Sequence, residues 1–226
     1  MANNYYIDLK KFTLEKYRHE LEQAEILPSR KILKEKLQER FQCLEKYGIK
    51  NLQDLILVLK TTEKTKNFAK KSGLPEDYLL ILRREVNSYQ PKPLNLKDFP
   101  GTKKDAIEKL ATIGIKNTKQ LFEKVKTQKE RNELVEQTGI ATNELLELVK
   151  LTDLSRVKWI GPIFARIFLD TGTDTVEKLS KSIAENLFKK LVEINIEKGY
   201  TKGKFTVKDV QLCINIAKEV PKAIKY

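Results

Sequence analysis

The sequence predicts an all-α protein made of tandem helical units. Apolar residues recur at helical spacing along almost the whole chain, alternating runs bounded by tight turn pairs are missing, and two glycine landmarks repeat at a fixed offset. With 226 residues, 40% hydrophobic and 33% charged, the chain has the composition of a folded protein that fills one large or two modest domains. Cys43 and Cys213 are too few for a disulfide framework or a cysteine-rich zinc site, and His19, set in a charged helical stretch, reads as a surface residue. The start of the chain lacks a long apolar stretch behind a basic segment, and the longest aliphatic run, Leu55 to Leu59, is too short to span a bilayer. A cytoplasmic protein without membrane contact, metal or cofactor is the expectation.

Taken in order, residues 1–90 read as an N-terminal helical domain. It ends at Ser88-Tyr89-Gln90-Pro91-Lys92-Pro93, where two prolines separated by one residue forbid a continuous helix. Residues 94–151 form a second unit and residues 152–226 a third, closed by a C-terminal helix. Gly48-Ile49-Lys50-Asn51 recurs as Gly114-Ile115-Lys116-Asn117, and Ser72-Gly73-Leu74 as Thr138-Gly139-Ile140, both 66 residues on. Leu55 aligns with Leu121 between them. In the third unit Gly172 and Leu179 take the same places at an offset of 58, and Gly199 stands in for Gly139. Each glycine follows a helical stretch, where a left-handed cap suits a residue without Cβ. Asp174 with Glu177, and Ser182 with Glu185, fit capping boxes for the helices that follow.

Within the third unit, Thr152 is expected to cap a short helix from Asp153. A tight turn through Trp159 and Gly161 leads to a second helix with Pro162 in its first turn and Ile163, Phe164, Ile167 and Phe168 inward. These residues resemble the helix-hairpin-helix motif: an apolar residue, any residue, Gly, an apolar residue, Gly, often Pro, and Ala three positions after the second Gly. The pattern maps onto Val157, Lys158, Trp159, Ile160, Gly161, Pro162 and Ala165, with Trp159 replacing the first glycine. Phe99-Pro100-Gly101-Thr102-Lys103 keeps the first glycine and has Lys103 at the second, while Leu33-Lys34-Glu35-Lys36-Leu37 has neither and reads as plain helix. The Gly-Ile-x-Asn/Thr-x-x-x-Leu stretch also resembles the helix after the hairpin in the carboxy-terminal domain of the RNA polymerase alpha chain. Over residues 5–226 the chain resembles an uncharacterised bacterial family of tandem helix-hairpin-helix-like (SAM-like) repeats, a domain of unknown function, which implies the fold and carries no activity with it.

A hairpin of this kind offers unpaired N–H groups and the positive end of a helix dipole to a phosphate oxygen. The donors expected here are Ile160, Gly161 and Ile163, with Arg156, Lys158 and Arg166 supplying charge. Gly101, Lys103 and Lys104 form the lesser candidate at the second hairpin. Gly161 serves either the turn alone or a phosphate, Trp159 is either a packing anchor or a stacking platform, and Lys103 and Lys104 are either a solvated helix start or an anion site. The formal charge of +13 is spread as +5, +3 and +5 over residues 1–91, 92–151 and 152–226, so it marks no basic tail. Gly199 to Lys204 has the wrong spacing for a phosphate-binding loop, and Phe205 stands where that loop needs Ser or Thr. No catalytic constellation is visible. The expectation is a non-enzymatic module that binds nucleic acid, DNA ahead of RNA, through its phosphates. The alternative is a protein-binding scaffold that keeps the fold alone.

Overall fold

Many of the helices begin where an Asn or Thr side chain takes up a first-turn N–H group, and several end at or just before a glycine in the left-handed region. The structure, a computed structural model, describes residues 4–24, 26 and 28–226, so the remainder of the 1–90 segment lies outside the described residues. It is all-α, with no β-sheet among them. The chain divides into two units, one of residues 8–89 and one of residues 90–226 together with residues 4–7.

In the first unit α1 (Leu14–Gln23) and a 3-10 segment (Pro28–Lys34) precede α2 (Leu37–Lys46), α3 (Leu52–Val58), α4 (Thr62–Ser72) and α5 (Glu76–Asn87). The second unit opens with a 3-10 turn (Leu96–Asp98) and runs through α6 (Lys104–Thr112), α7 (Thr118–Phe122), α8 (Gln128–Thr138) and α9 (Thr142–Leu154). It continues with α10 (Pro162–Asp170), α11 (Val176–Ser180), α12 (Ala184–Lys198) and α13 (Val207–Glu219).

The repeat seen in the sequence is a repeat of backbone devices. Asn51 and Asn117 both cap a helix, accepting from the N–H of Asp54 and Gln120, and Thr61 and Thr127 cap the next pair in the same way. Gly73 and Gly139 close α4 and α8 at φ of 73° and 63°. An isolated backbone bridge also recurs. Leu14 N–H donates to Lys50 O at 2.9 Å and Leu52 N–H to Phe12 O at 3.0 Å, while in the second unit Leu96 donates to Lys116 at 3.0 Å and Thr118 to Leu94 at 2.9 Å. Leu55, Leu121 and Leu179 are fully buried just after these starts.

The third segment reaches the same result by other means. Val176 N–H, at the place of Thr118, is taken by Asp153 Oδ2 at 2.9 Å, a side-chain carboxylate where the other segments use a carbonyl. Thr152 is not a cap, because α9 runs through it to Leu154. The cap of α11 is Thr175 rather than Asp174, and Ile183 rather than Ser182 precedes α12. Asp174 instead pairs with Lys150 at 2.6 Å and Lys178 at 2.7 Å. The stretch around Lys36 is not plain helix either: Lys36 sits at φ +46° directly before α2.

Two outcomes follow. Leu121→Ala empties a fully enclosed site, so it should lower unfolding stability by roughly 2 to 5 kcal/mol in a denaturant titration. Burial works against ionisation of Asp174, but its two lysines win and hold the carboxyl below its ordinary value of 3.8. That contribution is present at neutral pH and is lost as pH falls through 3.8 and on through the lower folded value. Asp174→Asn should therefore melt earlier than the native chain at pH 7, with the gap closing in acid.

Candidate nucleic-acid interface

Two turns in the second unit share one geometry. Asp98 N–H donates to Asn95 O at 3.1 Å and Phe99 to Leu96 at 3.4 Å; 58 residues on, Arg156 donates to Asp153 at 3.2 Å and Val157 to Leu154 at 3.1 Å. Three residues before each following helix the backbone turns left-handed, at Gly101 (φ 75°) before α6 and at Trp159 (φ 71°) before α10. Glycine adopts that conformation freely, whereas a bulky side chain there carries a strain of roughly 1 to 3 kcal/mol. In the first unit Lys36 stands one residue before α2, so its turn, the first of three along the chain, is of another kind; the Gly101 turn is the second and the Trp159 turn the third.

Neither Lys103 nor Gly161, the residues that precede α6 and α10, gives a side-chain cap. The first-turn N–H groups of these helices are therefore not consumed by an N-cap side chain. Closer to the bend, Ile160 N–H donates to Val157 O at 3.1 Å and Gly161 N–H to Trp159 O at 3.2 Å, so these two expected donors serve the turn itself. Ile163, expected inward, is exposed, while Ile167 and Phe168 are buried.

The cations divide sharply. Arg156 is 1% exposed; it pairs with Asp153, donates to the carbonyls of Tyr5, Asn4 and Pro221, and lies over the Phe122 ring. Burial pushes the Asp153 carboxyl up against the pull of that guanidinium. Lys158 is equally buried, with its ammonium 4.1 Å from the centre of the Trp159 ring. Arg166 donates to Pro100 O at 2.7 Å and to Glu147 at 2.6 Å, and its guanidinium lies under Gly101, where an added Cβ would meet it at 3.6 Å. It joins the second turn to α10. The sequence pattern places all three charges outside; here they are internal, because each finds carboxylate, carbonyl or aromatic partners that offset its desolvation.

Gly101, Lys103 and Lys104 are exposed, and among the described residues neither lysine makes an ion pair. A further pair of lysines has no signature in the sequence pattern. Phe205 packs edge-on against Phe164 of α10 at 5.3 Å and Phe188 of α12 at 5.6 Å, and Tyr200 donates to Asp170 at 2.7 Å. These contacts lay the loop of residues 199–206 along α10, with Lys202 and Lys204 exposed on it. The available signal is Phe205, the residue that excludes a phosphate-binding loop and anchors this one.

Residues 100–220, more than half of the chain, match the family described as Domain of unknown function (DUF4332). The chain belongs to this family. No curated protein and no solved structure matches it. The DUF4332 region starts on the second turn, at Pro100, and ends after α13, so it holds both turns and leaves out the first unit. Among the described residues no helix is long and apolar enough to cross a membrane, and no cluster of three or more His, Cys, Asp or Glu side chains could hold a metal.

Burial makes the site residues separable by stability. Arg156→Leu leaves the buried Asp153 without its counter-charge, so it should cost about 3 to 5 kcal/mol in chemical unfolding. Lys103→Ala, at an exposed helix start, should stay within about 0.5 kcal/mol of the native chain.

Proposed function

We propose that the DUF4332 region binds nucleic acid through the phosphate backbone, without reading base sequence and without catalysis. The observation that carries this reading is the pair of matched turns, each leading into a helix without a side-chain cap. Two helix N-termini attract anions through their free N–H groups and dipoles. Lys103 and Lys104 stand at one, and Lys202 and Lys204 lie along the helix that begins at the other. Lysines on flexible stems act as point charges, which suit phosphates better than the fixed edges of bases. On this reading both turns are helix-hairpin-helix turns, the second keeping the first glycine of the motif and the third keeping the second. A protein-binding module is the second reading, supported by Trp159 and Ile163, which are 47% and 40% exposed beside the third turn.

Binding to duplex DNA measured between about 50 and 200 mM salt separates the two. Phosphate binding gives a log-log slope near −0.9 for each phosphate neutralised, and Lys103→Glu with Lys104→Glu should flatten it by about 1.8 if both make contact. Both positions are exposed, so the helical circular dichroism should be unchanged. Absence of any DNA or RNA binding at about 50 mM salt would sink the proposal and leave the protein-binding reading. Exchanging Lys158 or Arg166 would test packing instead, since both are internal.

A further inference from the structure

We infer that Trp159 is a stacking platform for an unpaired nucleobase, so that the third turn takes single-stranded or frayed nucleic acid. This rests on the phosphate-binding reading above and names its substrate class. Trp159 holds a left-handed backbone at φ 71° where Gly101, at the matched position, needs no strain. The strain is not repaid by burial, because 47% of the residue is exposed. An observed outlier of this kind on the surface points to function at the side chain rather than to packing. One face of the ring carries the Lys158 ammonium at 4.1 Å, and Lys158 is itself buried, so the exposed share of the indole lies away from that cation. The ring is thus held from behind and open in front.

The surroundings select the ligand. Ile163, 40% exposed, stands in the first turn of α10, and Phe164 beside it anchors Phe205, whose loop carries the exposed Lys202 and Lys204. An aromatic plate at the head of α10, the helix against which Phe205 anchors the lysine-bearing loop, complements a nucleotide, which joins a flat ring to an anion. Bases inside a duplex are already stacked, so the base that fits is an unpaired one. A lipid or neutral apolar peptide would match the indole and leave the lysines without a role.

Trp159 is the chain's single tryptophan, so its fluorescence reports on this position alone. The full chain is titrated with an oligothymidylate of about 12 nucleotides, a length within ordinary single-strand site sizes, and with an abasic phosphodeoxyribose strand of equal length, a blunt duplex and poly-glutamate. The oligothymidylate should quench the indole and bind about tenfold or more tightly than the abasic strand, which should leave the fluorescence unchanged. Trp159→Gly, which suits the backbone, should lose that advantage while keeping its affinity for the abasic strand and the salt slope. Should the glycine variant fail to fold, Trp159→Asn, which tolerates the left-handed region, carries the comparison. Unchanged fluorescence, with oligothymidylate binding by the variant equal to the native chain's, overturns the stacking inference, and salt-sensitive duplex binding in the same series shows that the phosphate reading survives it. If no nucleic acid binds, both fall. A response to poly-glutamate and not to the oligonucleotide also overturns it, in favour of an acidic protein partner.

Discussion

A guanidinium keeps its charge inside a protein only if the protein surrounds it with acceptors, and Arg156 draws its acceptors from both ends of the second unit. Asp153 supplies the counter-charge, the carbonyls of Asn4 and Tyr5 come from the start of the chain, and Pro221 comes from beyond α13. The second Asp153 oxygen holds Val176 N–H and so sets the start of α11. Replacing such a pair by apolar groups can be neutral, whereas removing one member is costly, so its effect is to fix one arrangement of these segments. The turn that presents Trp159 begins one residue after Arg156, and its orientation is inherited from that anchor.

Glycine and capping residues make most of the fold legible, because the backbone conformations they serve are local. A left-handed residue after a helix and an Asn or Thr before the next are written into a few adjacent positions, and Gly48, Gly114 and Gly172 all adopt positive φ. The part that is not legible depends on partners remote in sequence. Arg156 and Arg166 look like surface charges until Tyr5, Pro221, Pro100 and Glu147 are brought beside them. Asp174 reads as a cap because capping residues and ion-pair residues share the same chemistry, and of its two lysine partners Lys150 lies 24 positions earlier. The loop lysines are hidden for a like reason, since their placement rests on an aromatic contact between Phe164 and Phe205.

Internalising three cations changes what the remaining charge can do. Arginine is the side chain suited to planar, bidentate recognition, and the two arginines of the third turn are committed to carboxylates and carbonyls. What is left near both turns is lysine, whose compact ammonium interacts with any anion within reach and carries little directional information. On the proposed function, contact without base reading follows from which cations the core consumed as much as from which ones the surface kept.

The exchange of glycine for tryptophan at the left-handed position of the third turn is the point where local propensity and structure disagree. A chain selected for stability alone would place glycine there, as it does at Gly101, and would gain the strain energy back. The conflict is held in place from below: Val157 and Ile160 are buried on either side, Lys158 lies behind the ring, and Arg156 fixes the approach. A turn over-determined in this way can display a large ring in an unfavourable backbone state without relaxing. It does so at the head of α10, beside the loop that brings the lysines.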